Sequence, residues 1–231
     1  MLDSPDWLHV AALRDPVARA YSAWENRIFM RASGRVAGGF DLVPDVLCDG
    51  RIDMAATFAR FAVALAENTD AFMADHHFTP QSHVVRTDAV RYDLLVRVDE
   101  AGGIDRIAAA LRERGGGEVD VTRQNESMGV ALDAVCDQHT ANRLMATYAA
   151  DYEVFGFARR EFAASLEPCV LTDSETQLVV LVRQSVERVG SVSRAAQSKM
   201  SARYGIRQIR KSFLRKVTLG RMYSTPRSMH W

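Results

Sequence analysis

Hydrophobic positions along the chain follow two rhythms, one of short runs and one of three- and four-residue steps. Trp7 to Leu13 (WLHVAAL) is a short, mostly apolar run that ends on Arg14-Asp15-Pro16, as expected of a buried parallel strand running into a loop. Pro16 suits the first turn of a helix, where its missing N–H leaves nothing unbonded. Val17, Tyr21, Trp24 and Ile28 then recur on one face and predict a helix to about Met30. Ala32 to Gly50 holds four of the fourteen glycines and a proline, and reads as a surface loop. Met54 to Ala66 predicts a second helix with Phe58, Phe61 and Leu65 inward. Asp93 to Val98 (DLLVRV) predicts another strand, and Ile104 to Arg112 the helix after it, stopped by Gly115, Gly116 and Gly117. A further helix is expected over Asp133 to Tyr148. From Asp173 onward Leu178, Val182, Val186 and Val189 mark one helix face, and Ile206, Ile209, Phe213 and Val217 mark another. Strands alternating with helices predict an α/β fold on a parallel sheet.

Composition narrows the class. With 48% hydrophobic and 25% charged residues, the chain is a globular domain with an appendage, which excludes disordered, collagen-like and coiled-coil proteins. No apolar run approaches the roughly 20 residues of a membrane helix. Asp3 and Asp6 stand where a signal peptide would be basic, so the expected location is cytoplasmic. Cys48, Cys136 and Cys169 lack metal-ligand spacing and are expected as reduced thiols, with no metal site. The net charge of zero hides two blocks: residues 1–187 carry −11 and residues 188–231 carry +11. All three lysines, Lys199, Lys211 and Lys216, belong to the second block. That basic tail is expected to contact the acidic body or an anionic membrane surface, with no nucleic-acid partner.

Candidate chemistry concentrates in Leu13 to Trp24, LRDPVARAYSAW. An arginine closes the strand, a proline opens the helix, and Ser22 follows about a turn and a half on. The Arg14 guanidinium fork and the Ser22 hydroxyl can then converge on one phosphate, with Arg19 between them. The simpler reading pairs Arg14 with Asp15 or a helix carboxylate.

RDPxxRxxS after a strand resembles the 3′-phosphate-binding motif of sulfotransferases that use 3′-phosphoadenosine 5′-phosphosulfate. Phe58-Ala59-Arg60-Phe61, His77-Phe78-Thr79-Pro80-Gln81, Tyr92-Asp93-Leu94-Leu95, Asn125-Glu126-Ser127 and Tyr148 to Phe157 (YAADYEVFGF) follow in order. Together, over residues 7–157, they resemble the carbohydrate-type branch. The resemblance implies that Arg14, Arg19 and Ser22 hold the 3′-phosphate of the donor nucleotide, with Asn125 and Ser127 near it, and that a carbohydrate hydroxyl accepts the sulfonyl group. It also implies a glycine- and serine- or threonine-containing loop, with a basic residue, that cradles the 5′-phosphosulfate. Only six residues precede Trp7, and no lysine precedes Lys199. The expectation is therefore an N-terminally truncated, P-loop-like parallel sheet with flanking helices. Residues 1–167 would form a partial sulfotransferase domain and residues 168–231 a basic helical extension.

Two functions follow from this reading: a sulfotransferase, or a catalytically inactive remnant that serves as a nucleotide-binding or interaction module. His77 also carries two readings. It is an acceptor-side base, because an imidazole pKa near 6.5 suits proton transfer at neutral pH, or it bonds to neighbours and shapes its loop. His76 is read as loop-shaping and His9 as a core residue. Asn125 and Ser127 equally fit a helix cap. Tyr148, Tyr152, Phe155 and Phe157 are read as a packing cluster.

Overall fold

A computed structural model describes residues 7–30, 43–115 and 128–192; Asn125, Ser127 and the 206–217 stripe lie outside these. Strand β1 (Val10–Leu13) leads into helix α1 (Pro16–Ala23). Asp15 caps α1, its side chain accepting the Ala18 N–H at 2.9 Å, and Pro16 sits in the first turn as predicted. The helix does not end at Ala23 but widens into a π-helix over Trp24–Phe29, with the Met30 N–H reaching the Glu25 carbonyl at 2.7 Å. The extra residue per turn brings two adjacent pairs inward, and Trp24, Glu25, Ile28 and Phe29 are all buried.

The predicted Ala32–Gly50 loop contains an element the periodicity missed. Leu47–Cys48 (β2) and Arg51–Ile52 (β3) pair as an antiparallel hairpin. Its turn residues, Asp49 and Gly50, have φ of 50° and 78°, the two left-handed positions that a type I′ turn demands. Asp53 then caps α2 (Met54–Glu67) by accepting the Ala56 N–H. Phe58, Phe61 and Leu65 are fully buried there, as the stripe predicted. They join Trp24, Phe29, Phe72 and Phe78 in an aromatic core of edge-on, tilted and stacked rings.

Two short helices, α3 (Thr69–Met73) and α4 (Gln81–Val85), bracket the loop that holds His76 and His77. Strand β4 (Leu94–Arg97) follows and lies parallel to β1, with Val10 opposite Leu94 and Leu13 opposite Arg97. This small parallel sheet with flanking helices is the α/β arrangement that the strand–helix alternation predicted. Helix α5 (Gly103–Glu113) starts directly against the end of β4. A Cβ on Gly103 would lie 2.0 Å from the Arg97 carbonyl oxygen, so only glycine permits this approach.

The helix expected over Asp133–Tyr148 is broken. A 3-10 turn, Leu132–Ala134, is followed by α6 (Gln138–Thr147), because Asp137 caps a fresh start by accepting the Thr140 N–H at 2.7 Å. Helix α7 (Ala149–Phe155) closes on Gly156. Helix α8 covers residues 173–192. Its inner positions are Val179 and Arg183, whereas Leu178, expected inside, is exposed. Arg183 decides this orientation through a paired contact of its Nη atoms with the Asp45 carboxylate at 2.6 and 2.9 Å, while its Nε donates to the Phe29 carbonyl. The chain divides into two compact units, Met1–Arg183 and Gln184–Trp231. No helix among the described residues is long and apolar enough to cross a membrane.

Candidate functional site at the strand mouths

The carboxyl ends of parallel strands are where an α/β sheet opens a crevice. Here β1 and β4 end side by side below a cleft of about 550 Å³. Arg14, Asp15, Ala18 and Tyr21 line one wall, and Arg97, Asp99 and Glu100 the other. Phe157 and Arg160, beyond α7, complete it.

Of the three arginines, two are committed. Arg97 pairs with Glu100 at 3.0 Å, donates to the Phe155 and Gly156 carbonyls, and stacks over the Phe157 ring at 4.7 Å. Arg160 pairs with Asp133 at 3.0 Å. The Arg14 side chain is exposed and has no hydrogen-bond or ion-pair partner among the described residues. Neither Asp15 nor another described carboxylate takes it. A cation standing free in a cleft is an anion site in waiting. Asp15 softens the negative side of that wall: burial pushes its carboxyl above the ordinary range, Asp99 adds to this, and the Ala18 N–H only partly offsets it.

The Arg14 backbone, by contrast, is held at every polar atom. Its N–H donates to the Gln81 Oε1 at 3.0 Å, and its carbonyl accepts from the Gln81 Nε2 at 2.8 Å. On either side, the Leu13 carbonyl accepts the Val98 N–H, and the Asp15 N–H donates to Asp99 at 2.7 Å. Gln81 is fixed in turn by fully buried Asp151, whose carboxylate accepts the Gln81 N–H, the Ser82 N–H and the Ser82 hydroxyl at 2.7–2.8 Å. Three segments singled out in the sequence, RDP, PQ and DY, therefore meet at one strand mouth.

The remaining predicted residues lie in different places. Arg19 turns away from the cleft lining; its guanidinium donates to the Thr79 carbonyl at 2.8 Å and the His76 carbonyl at 2.9 Å, and braces that loop. Ser22 lies one turn beyond Ala18 on the same face of α1, half-buried, with no hydroxyl hydrogen bond among the described residues. His77 does not line the cleft. Its Nδ1 lies 2.7 Å from Asp75 Oδ1 and its Nε2 lies 2.7 Å from Arg27 Nη2. The same Arg27 nitrogen also lies 2.9 Å from Nδ1, so the guanidinium and the Asp75 carboxylate together hold the ring edge. Burial pushes the imidazole below its ordinary pKa and the Arg27 charge adds to this, outweighing Asp75. Burial pushes Asp75 up, but the His77 backbone N–H, the His77 ring and Arg27 together hold it below its ordinary value. His77 is thus occupied on both nitrogens, the geometry of its loop-shaping reading. Ligand atoms of Asp75, His76 and His77 do lie within 4.8 Å of one another, but the Arg27 cation against His77 opposes a second positive charge there.

Tyr148 donates to the Phe78 carbonyl and Tyr152 is buried at the cap of α1, so both pack as expected. Phe157 does more, since it forms cleft wall. Arg97 also lines the cleft, and its signal is in the sequence, since DLLVR closes on arginine as VAALR does.

A model described as the sulfotransferase family matches residues 3–158, about two thirds of the chain. The chain belongs to the sulfotransferase family. The match spans the whole cleft except Arg160, and both strands beneath it. No curated protein and no solved structure gave a match. Within this sulfotransferase domain, Arg14 has no side-chain partner among the described residues at the strand mouth.

Proposed function

We propose that the chain binds 3′-phosphoadenosine 5′-phosphosulfate in the strand-mouth cleft and moves its sulfonyl group to a hydroxyl, with a carbohydrate as the acceptor class. The observation that carries this reading is the unpartnered Arg14 guanidinium in a cleft of about 550 Å³. The residues present fit the nucleotide's 3′-phosphate. Arg14 supplies the cation and Ser22, on the same helix face as Ala18, a second donor, while Arg19 keeps the adjoining loop in place. In the reaction the acceptor oxygen attacks sulfur as the bond from sulfur to the 5′-phosphate oxygen breaks. The electron pair leaves on adenosine 3′,5′-bisphosphate and the acceptor proton passes to a base. Charge shifts at the sulfonyl oxygens, so fixed donors facing them set the rate.

One observation favours the second reading, a nucleotide-binding module. Arg97 and Arg160, the other two arginines lining the cleft, are already paired. A site that grips only the 3′-phosphate binds ground and transition states alike and leaves the chemical step unaided. Calorimetry with adenosine 3′,5′-bisphosphate tests the site: Arg14→Ala should lose about 1.5–3 kcal/mol of binding, the worth of a hydrogen bond to a charged group. Equal affinities would remove Arg14 from the site. Transfer of labelled sulfonyl groups to carbohydrate acceptors by the full chain then separates the two functions.

A further inference from the structure

We infer that Gln81 and Asp151 are positioning residues that aim Arg14 at the 3′-phosphate. This rests on the nucleotide reading above.

Residue 14 lies just past the end of β1, where no strand among the described residues pairs with it. The Gln81 carboxamide takes that neighbour's place. It bonds the N–H and the carbonyl of the same residue at 3.0 and 2.8 Å, as an adjacent strand would, but with a side chain. The Arg14 side chain has no hydrogen-bond or ion-pair partner of its own among the described residues, so what the fold fixes is its root, the Cα–Cβ bond from which the guanidinium reaches into the cleft. Gln81 is buried, and its own backbone is fixed by a fully buried carboxylate with three donors on it. A buried Asp151 without those donors would carry an uncompensated charge, which makes the arrangement steep rather than soft. The fixed sequence of contacts runs from Asp151 to Gln81 to the Arg14 backbone, and ends at a free guanidinium. Preorganisation of this kind reduces the ordering that binding would otherwise require.

The test compares two nucleotides on the full-length chain by calorimetry, adenosine 3′,5′-bisphosphate and adenosine 5′-monophosphate, which lacks the 3′-phosphate. The wild type should prefer the bisphosphate by about tenfold or more, and Arg14→Ala should remove most of that preference. Gln81→Met fills the same volume without either hydrogen bond. It should lower bisphosphate affinity about fivefold, leave the monophosphate unchanged, and add nothing in the Arg14→Ala background. A merely structural role would weaken both nucleotides alike, and that result overturns the proposal. So does an effect that adds to Arg14→Ala, or a preference kept intact in Gln81→Met. Should Gln81→Met fail to melt cooperatively, Gln81→Glu decides by the same ratio, since it keeps the acceptor toward the Arg14 N–H and sets an oxygen against its carbonyl. Failure of both variants to fold assigns Gln81 to stability and overturns the positioning role. A wild type with no preference between the nucleotides overturns the donor reading itself, and the positioning role with it. A preference lost in Arg14→Ala but kept in the Gln81 variants overturns the positioning role alone.

Discussion

His77 illustrates how a residue of catalytic type can be committed elsewhere. Its folded form resists protonation because burial and Arg27 outweigh Asp75, whereas the unfolded ring takes a proton near its ordinary value of about 6.5. A depressed folded pKa contributes stability that is complete above about pH 6.5 and is lost as pH falls through the folded value. Thermal melts of His77→Gln should therefore fall less steeply than wild type between pH 7 and 5; identical slopes would show an ordinary imidazole. What the sequence made legible at this scale was chemistry attached to local geometry. Arg14 follows a strand and precedes a proline, and it stands where that order predicts. Arg19 has the same side chain five residues on, but its acceptors are carbonyls 57 and 60 residues away. No local pattern encodes such a partner. Gln81 and Asp151 were visible as motif letters, and only their meeting at the Arg14 backbone gives them a role.

At the scale of elements, periodicity located the amphipathic helices and missed what capping and turn chemistry decide. Leu132, Val135, Cys136 and Leu144 keep a helical rhythm through Asp137, yet the Asp137 carboxylate restarts the helix by taking the Thr140 N–H. Replacing it by alanine leaves that donor without its cap, and Asp137→Ala should cost about 1 kcal/mol in denaturant unfolding. A variant as stable as wild type would mean that the rhythm, not the cap, sets the boundary. The hairpin was legible in principle, because Asp49-Gly50 between Leu47-Cys48 and Arg51-Ile52 is a two-residue turn signal. Four paired residues were too few for alternation to register. Helix α8 shows the reverse case, where an apolar rhythm was real but a buried arginine, not the apolar stripe, chose the inward face.

At the scale of the whole molecule, Arg183 ties three distant parts of the first unit together: α8, the segment after residue 43, and the end of the π-helix through the Phe29 carbonyl. Arg183→Met would leave Asp45 and that carbonyl unanswered, at a cost of about 3 kcal/mol. Pairing it with Asp45→Leu should recover much of the loss in thermal unfolding, since an apolar pair of similar volume replaces a desolvated ionic one; no recovery would place the energy in the Phe29 contact. The sheet is the other long-range tie. Asp15 and Asp99, which meet where β1 and β4 end, are separated by 84 positions. Closing a loop of that length costs on the order of 4 kcal/mol of chain entropy beyond a constant. The two walls of the cleft stand on opposite sides of this closure, Arg14 on one and Arg97 on the other. An anionic ligand that spans them therefore acts as a clasp on the ring as well as an occupant of the cleft, and its affinity and the resistance of the sheet to opening are two readings of a single equilibrium.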